Sequence, residues 1–479
     1  MLHRRNVIAM LVGAAMLLAS CASPRATPAS VAAEPFAGKL AEAAERAASP
    51  SVVAAIYRNG VLTRVYAWGG ADCAGQGAVN AFAEFEIGSI SKEMTAAGLL
   101  LLWEQGRVDL EAPVGAYLTD IPDAWKRVTV RQLLTHTSGV PDYEEAATYA
   151  IYETSPTSQQ VYDSVRDRPL DFEPGSQWSY SNTGYFLLSQ VIQTVSGMRF
   201  GDYMRERVFA PLGMAHTFVG GYDSADAVLA QGCRPGATPD APRIPVRPIT
   251  EASTFGAGGI VSNVQDWGAW DRAMTRGGLI SQRALDQMLA PVVLPDGTTT
   301  NYGFGMEVDE FRGEPRIGHT GQTQGFVAEY RSFPSRGVAI LLLANTYGGL
   351  RGTIMQALEV QEMPDLSYDR LLVAADPDPQ RTELVRRAIR QALLSEPPLD
   401  LLGPDMTRVA TEAGFAADRA RLHRVADDIQ RIEFLRSAPV PGGDDTRQTY
   451  RVTDSSGDTS YFSAVWRAGR LHRLRWEDE

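Results

Sequence analysis

Lysine is scarce in this 479-residue chain: Lys39, Lys92 and Lys126 stand against 42 arginines. Cysteine is equally scarce, with Cys21, Cys73 and Cys233. The six histidines (His3, His136, His216, His319, His423 and His472) are scattered, with no His-x-x-x-His and no Cys-x-x-Cys. Ligand spacing of the kind that holds zinc is therefore missing, and no metal or other cofactor is expected. Excess positive charge is missing too. A net charge of −12, with no aromatic residues interleaved among basic clusters, argues against nucleic acid as a partner. The one early apolar run, residues 8–18, is too short to span a bilayer.

That run follows Arg4 and Arg5 and ends at Leu18-Ala19-Ser20-Cys21. A basic start, a short apolar core and small residues make a secretory signal. The last four residues resemble a bacterial lipobox, which implies cleavage before Cys21 and lipidation of its thiol. The alternative is an ordinary signal peptide with a coincidental cysteine. Residues 1–20 are thus expected to be a signal peptide, and 21–35, rich in Ala, Pro and Ser, a lipid-anchored tether. Such a protein would be periplasmic, held to the cell envelope through its anchor. An oxidising compartment would let Cys73 and Cys233 pair, although sequence does not show that they meet.

Lys92 is the lysine with a distinctive neighbour. It closes the stretch Phe85-Glu86-Ile87-Gly88-Ser89-Ile90-Ser91-Lys92, ahead of an apolar helix expected over residues 94–104. On a helix, positions i and i+3 share a face, so the Lys92 amine can reach the Ser89 hydroxyl. Serine is a weak nucleophile until a base takes its proton, and a desolvated lysine can be that base. Arginine cannot, because it does not deprotonate in a protein. If Ser89 opens the helix, its own N–H is a first-turn donor suited to a developing oxyanion.

Strands are expected at 51–57 and 61–68, joined by the hairpin signal Asn59-Gly60, after a helix over 36–49. Residues 107–250 read as helical segments broken by turns, with a helix over 183–195. Gly256-Ala257-Gly258-Gly259 marks a close backbone approach. Strands return at 302–308, 326–333 and 338–344, then a helix at 350–360. Strands at both ends of the segment and helices between predict a mixed α/β fold: one sheet flanked by helices, with an inserted helical region, over residues 36–362. Two helices (380–395 and 406–428) and four strands (431–436, 447–453, 459–466, 470–476) predict a small C-terminal α+β domain over 366–479.

Two further short strings carry chemistry. Tyr180-Ser181-Asn182 offers a phenol, whose pKa a nearby ammonium could lower, and an amide. His319-Thr320-Gly321 offers an imidazole. Ser-x-x-Lys, then Tyr-x-Asn, then a basic residue before Thr-Gly resembles the penicillin-recognising serine hydrolases. The Tyr form is similar to the branch of class C β-lactamases, D-Ala-D-Ala carboxypeptidases, D-aminopeptidases and esterases. The longer strings Leu133-Leu134-Thr135-His136-Thr137-Ser138-Gly139, Pro174-Gly175-x-x-Trp178-x-Tyr180-Ser181-Asn182 and Gly258-Gly259-x-x-Ser262 match that family as well.

The resemblance implies a β-lactamase/transpeptidase-like antiparallel sheet. It also implies acylation of Ser89, proton transfer by Lys92 and Tyr180, and substrate binding by Asn182, His319, Thr320, Gly321 and Gln322. The oxyanion hole would be the N–H groups of Ser89 and Gln322. His136 is given no catalytic place; its string reads as a buried turn. The substrate would be a small molecule or peptide cleaved at an amide or ester. A non-catalytic sensor on the same fold, or a weak β-lactamase, are the competing readings. One departure stands out: β-lactamases carry Lys-Thr-Gly where this chain has His319. An imidazole titrating near pH 6.5 would clamp a substrate carboxylate weakly, and more weakly still as pH rises.

Overall fold

The computed structural model describes residues 35–46, 49–144, 157–220, 229–236, 241–249, 255–346, 351–391, 429–440, 445–457 and 459–477. The expected signal peptide, Cys21, the tether up to residue 34, the end of the expected helix at 380–395 (residues 392–395) and the helix at 406–428 lie outside the described residues.

Helix α1 (Pro35–Arg46) leads into strands β1 (Ser51–Arg58) and β2 (Val61–Gly69). Asn59 and Gly60 both have positive φ, as the two-residue turn requires. Helix α2 (Ser91–Glu104), α3 (Asn182–Ser196) and α4 (Val264–Arg276) belong to the inserted region. The chain then returns as β3 (Glu307–Phe311), β4 (Glu314–Gln322), β5 (Val327–Phe333) and β6 (Val338–Ala344), followed by α5 (Arg351–Glu362). These six strands form one sheet in the order β2-β1-β6-β5-β4-β3, and every neighbouring pair is antiparallel. Pairing of β1 with β6, Val52 opposite Ala344 and Arg58 opposite Val338, joins the two ends of this unit.

The strand alternation explains the layering. Val53, Ala55 and Tyr57 of β1 face a core shared with α2, α3 and α4, while Val52, Ala54 and Ile56 face a second core with α1 and α5. A strand covered on both faces reads as a continuous apolar run, and β6 does so, with all seven residues buried. Helix α2, which follows Ser89, is buried along most of its length, including Lys92.

Two expectations change here. Residues 302–306 do not belong to the strand expected at 302–308: Gly303 donates its N–H to the Met306 carbonyl, and β3 begins at Glu307. Conversely β4, which carries His319 and Thr320, has no strand signature of its own. Its sequence, Glu314-Pro315-Arg316-Ile317-Gly318-His319-Thr320-Gly321-Gln322, contains a proline and two glycines. It is a strand because β3 and β5 flank it, and because no side chain fits at its glycines. A Cβ on Gly318 would lie 2.0 Å from the Tyr330 carbonyl oxygen of β5.

After residue 362 come α6 (Pro379–Gln391) and a four-stranded antiparallel meander, β7 (Ile429–Pro439), β8 (Thr446–Asp454), β9 (Thr459–Arg467) and β10 (Arg470–Glu477). Val385 and Ile389 of α6 pack against Phe434, Tyr450, Phe462 and Trp466 of this sheet. It touches the first sheet at the β3–β4 hairpin, where Arg447 pairs with Glu310 and Arg436 donates to the Arg312 carbonyl; the Arg312 guanidinium also lies 3.9 Å from the ring centroid of Tyr368, which precedes α6. That hairpin is the end of β4 remote from Gln322.

Candidate active site

Ser89 lies in a single 3-10 turn, Gly88–Ile90, directly ahead of α2. It is half-buried, whereas Lys92, one turn on, is fully buried. As an ammonium, the Lys92 Nζ donates to three acceptors: Asn182 Oδ1 at 2.7 Å, the Ala257 carbonyl at 2.7 Å and Ser89 Oγ at 3.0 Å. Burial lowers its pKa to about 7, against the opposing pull of Glu144 and Asp142. A neutral amine has two N–H bonds and one lone pair. Asn182 Oδ1 and the Ala257 carbonyl only accept, so they claim the two N–H bonds. The lone pair is then left facing the Ser89 hydroxyl, which is the arrangement a base needs.

Each partner is placed by its own local chemistry. Asn182 opens α3, whose N-cap Ser181 accepts the Gly184 N–H. The Ala257 carbonyl comes from the glycine-rich turn. There a Cβ on Gly256 would lie 2.8 Å from Thr95 Oγ1 of α2, so the backbone itself packs on the helix. Tyr180 sits with its ring 4.7 Å from Lys92 Nζ and hydrogen-bonds Ser89. Burial holds its phenol well above its usual pKa, with the Ser89 bond opposing. The expected lowering does not occur: desolvation outweighs the Ser89 hydrogen bond, and the charges of Glu144, Asp142 and Glu307 add to the rise. Tyr180 is therefore held as a neutral phenol, not a phenolate.

His136, given no catalytic place, supports that tyrosine. Its Nδ1 accepts the Ser181 N–H at 3.1 Å, its carbonyl accepts the Ser179 N–H at 2.9 Å, and its ring centroid is 4.3 Å from that of Tyr180. The string from Leu133 to Gly139 is the socket of the tyrosine loop.

β4 approaches the Ser89 turn backbone to backbone. A Cβ on Gly321 would fall 1.9 Å from the Ile87 carbonyl oxygen, and one on Gly88 would fall 2.6 Å from the Gln322 nitrogen. Two glycines thus bring the Gln322 main chain against the turn that holds Ser89. Thr320 is half-buried one residue before Gly321.

His319 departs from expectation. It is only 3 % exposed. Its Nδ1 lies 2.5 Å from the Thr320 carbonyl, which only accepts, so that nitrogen carries the proton. Nε2 then accepts the Tyr302 hydroxyl at 2.8 Å. Burial and the Lys92 charge lower its pKa to about 3. His319 is a neutral imidazole satisfied within the protein, not a partly charged clamp.

Sequence reasoning gave no role to Ala257, Tyr302 or Asp142. Ala257 lies within a glycine string already marked for close approach. Asp142 follows the Leu133–Gly139 string by three residues, and its Oδ2 accepts from Asn182 Nδ2 at 3.1 Å. Nothing local distinguishes Tyr302.

A family model described as Beta-lactamase matches residues 36–362. The chain belongs to the β-lactamase family. It is 31 % identical over 256 residues to a penicillin-binding protein of Bacillus subtilis, covering 50 % of this chain and 56 % of the relative. To the D-aminopeptidase of Brucella melitensis it is 27 % identical over 304 residues, covering 62 % and 57 %. The chain thus spans little more than half the length of these curated relatives. The crystal structure of the D-amino acid amidase from Ochrobactrum anthropi SV3, complexed with D-phenylalanine, is similar at a TM-score of 0.59 and 27 % identity. That match covers 69 % of this chain and 97 % of the amidase.

Proposed function

We propose that this protein is a serine hydrolase that cleaves an amide bond through an acyl-enzyme on Ser89, acting on small D-amino-acid amides or peptides. The observation that carries the reading is the setting of Lys92: Asn182 Oδ1 and the Ala257 carbonyl claim the two N–H bonds of the neutral amine, which leaves its lone pair aimed at Ser89 Oγ. Ser89 Oγ bonds to the substrate carbonyl carbon as Lys92 takes its proton. The carbonyl oxygen gains charge beside the Ser89 and Gln322 main chain. As the carbon–nitrogen bond breaks, the Tyr180 hydroxyl protonates the leaving nitrogen, and the Lys92 ammonium returns a proton to Tyr180. Water then cleaves the Ser89 ester by the reverse sequence, with Lys92 drawing its proton.

Two features support a substrate without a carboxylate at the Thr320 side. His319 supplies no positive charge there, and the similar proteins named above are a D-amino acid amidase and a D-aminopeptidase. The test is a fluorophosphonate or penicillin adduct located by mass spectrometry, joined to a hydrolysis screen of D-aminoacyl amides, p-nitrophenyl esters and a cephalosporin. An adduct on Ser89 with amides turned over best is expected; no adduct on Ser89 would make the protein a binding module on this fold.

The reading extends to location. The Leu18-Ala19-Ser20-Cys21 string suits a lipid anchor, and the Cys73–Cys233 disulfide suits an exported protein. A mature N-terminus other than Cys21 would remove the anchor.

A further inference from the structure

Asn182 has two faces in this site, and a third residue decides which way they point. Its Oδ1 accepts from Lys92 Nζ at 2.7 Å, and its Nδ2 donates to Asp142 Oδ2 at 3.1 Å. An amide can be turned by half a rotation with little change in shape. Turned, it would present N–H bonds to the Lys92 amine. The lysine would then have to spend its lone pair on Asn182 instead of on the Ser89 hydroxyl. Asp142 blocks this as an acceptor, because a carboxylate has no proton with which to satisfy a turned amide oxygen.

The loop that carries Asp142 is itself fixed on the start of α3. The Tyr143 N–H donates to Thr183 Oγ1 at 3.0 Å, and the Glu144 N–H donates to Asp142 Oδ1 at 3.0 Å. The carboxylate is therefore clamped through both oxygens, one to its own loop and one to Asn182. Asp142 is only 8 % exposed, and it reaches Lys92 through Asn182.

We propose that Asp142 is a positioning residue for this reaction: through Asn182 it aims the Lys92 lone pair at Ser89, and its charge stabilises the ammonium that forms when Lys92 takes the serine proton. The proposal rests on the acyl-enzyme reading. The charge acts at a distance through the amide. The groups that face Lys92 are Ser89, Asn182, the Ala257 carbonyl and the rings of Tyr180 and Tyr185. Asp142, Glu144, His136 and His319 lie within its field, and both histidines are neutral from burial. Asp142 itself is faced by Asn182, Glu144 and Lys92; burial raises its pKa to about 6, leaving it ionised where the amine is free.

The experiment compares the full chain with Asp142→Asn and Asp142→Glu. It reads the second-order rate of Ser89 acylation by a neutral fluorophosphonate from pH 5 to 9, with thermal melting as the check of folding. Asp142→Asn should lose up to about 100-fold in rate, the scale of a misaligned reacting group. The acid limb of its profile should move to lower pH, because a negative charge that favours the ammonium has been removed. Asp142→Glu keeps the charge and should recover much of the rate, with its limb at the wild-type position. A residue that only holds the loop would lower melting in both variants and leave the limb unmoved. That result, an unchanged rate in Asp142→Asn, or loss of fold in both variants would overturn the assignment. A wild type that forms no Ser89 adduct would remove the acyl-enzyme reading and this inference together. A wild-type adduct with unaffected variants would remove the inference alone.

Discussion

The Gly321 main chain lies so close to Ile87 that a Cβ would stand 1.9 Å from the Ile87 carbonyl oxygen and 3.0 Å from its carbon. Neither atom can yield, because both are backbone of the turn that presents Ser89. Gly321→Ala should therefore push β4 away from the nucleophile turn and separate the Ser89 and Gln322 main chains. Loss of one oxyanion donor costs about 10²–10³ in rate, and Ser89 acylation should fall on that scale. Gly352→Ala is the control, since nothing lies within 4 Å of a Cβ there in α5. It should leave acylation unchanged and add up to about 1 kcal/mol of stability. Equal acylation rates in wild type and Gly321→Ala would mean that the close approach serves only packing.

The second prediction concerns Lys92. In the proposed reaction its neutral amine is the base, and burial lowers its pKa to about 7. The acylation rate should rise with pH through about 7 and level off above it. The same shift ties stability to pH. In the unfolded chain this lysine stays protonated up to its ordinary pKa, so between about 7 and that value the unfolded state binds more protons than the folded one. Stability should rise with pH across this window, and the full penalty should be present below it. Glu86 also titrates at about 7, raised by burial, but as an acid it acts in the opposite direction. Urea midpoints of the wild type and Lys92→Met at pH 6 and pH 9 separate the two, because Glu86 is common to both. The wild type should gain relative to the variant at the higher pH. A constant gap would mean that Lys92 titrates normally.

How much of this site the sequence discloses depends on whether a residue works through its neighbours along the chain or across the fold. Ser89 and Lys92 are one helical turn apart, and the hairpin at Asn59-Gly60 is set by its own two residues; both are legible from spacing alone. The alternate faces of β1 and the buried run of β6 are legible for the same local reason. β4 is not, because Pro315, Gly318 and Gly321 speak against a strand, and only the flanking strands and the Ile87 contact explain them. Local strings likewise say nothing of the Asp142–Asn182–Lys92 chain, whose members lie 40 and 90 residues apart. The charge state of His319 escapes the sequence for a further reason: the ordinary pKa of an imidazole belongs to a solvated ring, and burial is a property of the fold.

His319 accordingly supports a different pH behaviour from the one its sequence context suggests. Held neutral down to about pH 3 and bonded at both nitrogens, it does not read substrate charge between pH 5.5 and 8.5. The ratio of kcat/KM for a matched carboxylate and neutral substrate pair should stay flat through pH 6.5. His319→Lys would bury an ammonium where the protein offers the Tyr302 hydroxyl and one carbonyl. It should lower stability by roughly 1–3 kcal/mol, with no gain for the carboxylate substrate. A ratio that falls through pH 6.5 in the wild type would show that the imidazole charges in the open site.

The Cys73–Cys233 disulfide closes 160 residues of chain and ties two loops beside the turn between β4 and β5. Cys233 donates its N–H to the Gly325 carbonyl at 3.2 Å, so the bond lies against the hairpin that follows Gln322. Asn345 joins the same loops without sulfur: its Nδ2 donates to the Ala71 carbonyl at 3.4 Å and the Gln231 carbonyl at 3.0 Å. The Gly321 contact with Ile87, which seats β4 on the nucleophile turn, does not involve either loop. Stability and chemistry should therefore separate. Loss of a cross-link over so long a loop costs about 2–5 kcal/mol, mainly through freedom regained by the unfolded chain. Cys73→Ser with Cys233→Ser, or the wild type under reducing conditions, should lose stability on that scale and keep a Ser89 acylation rate within about tenfold of the oxidised protein, since less than about 1.4 kcal/mol of barrier is then affected. Denaturant midpoints and acylation rates of the oxidised and reduced protein check both parts. A rate that collapses while the protein stays folded would show that the disulfide, and not the Gly321 contact, holds β4 in place.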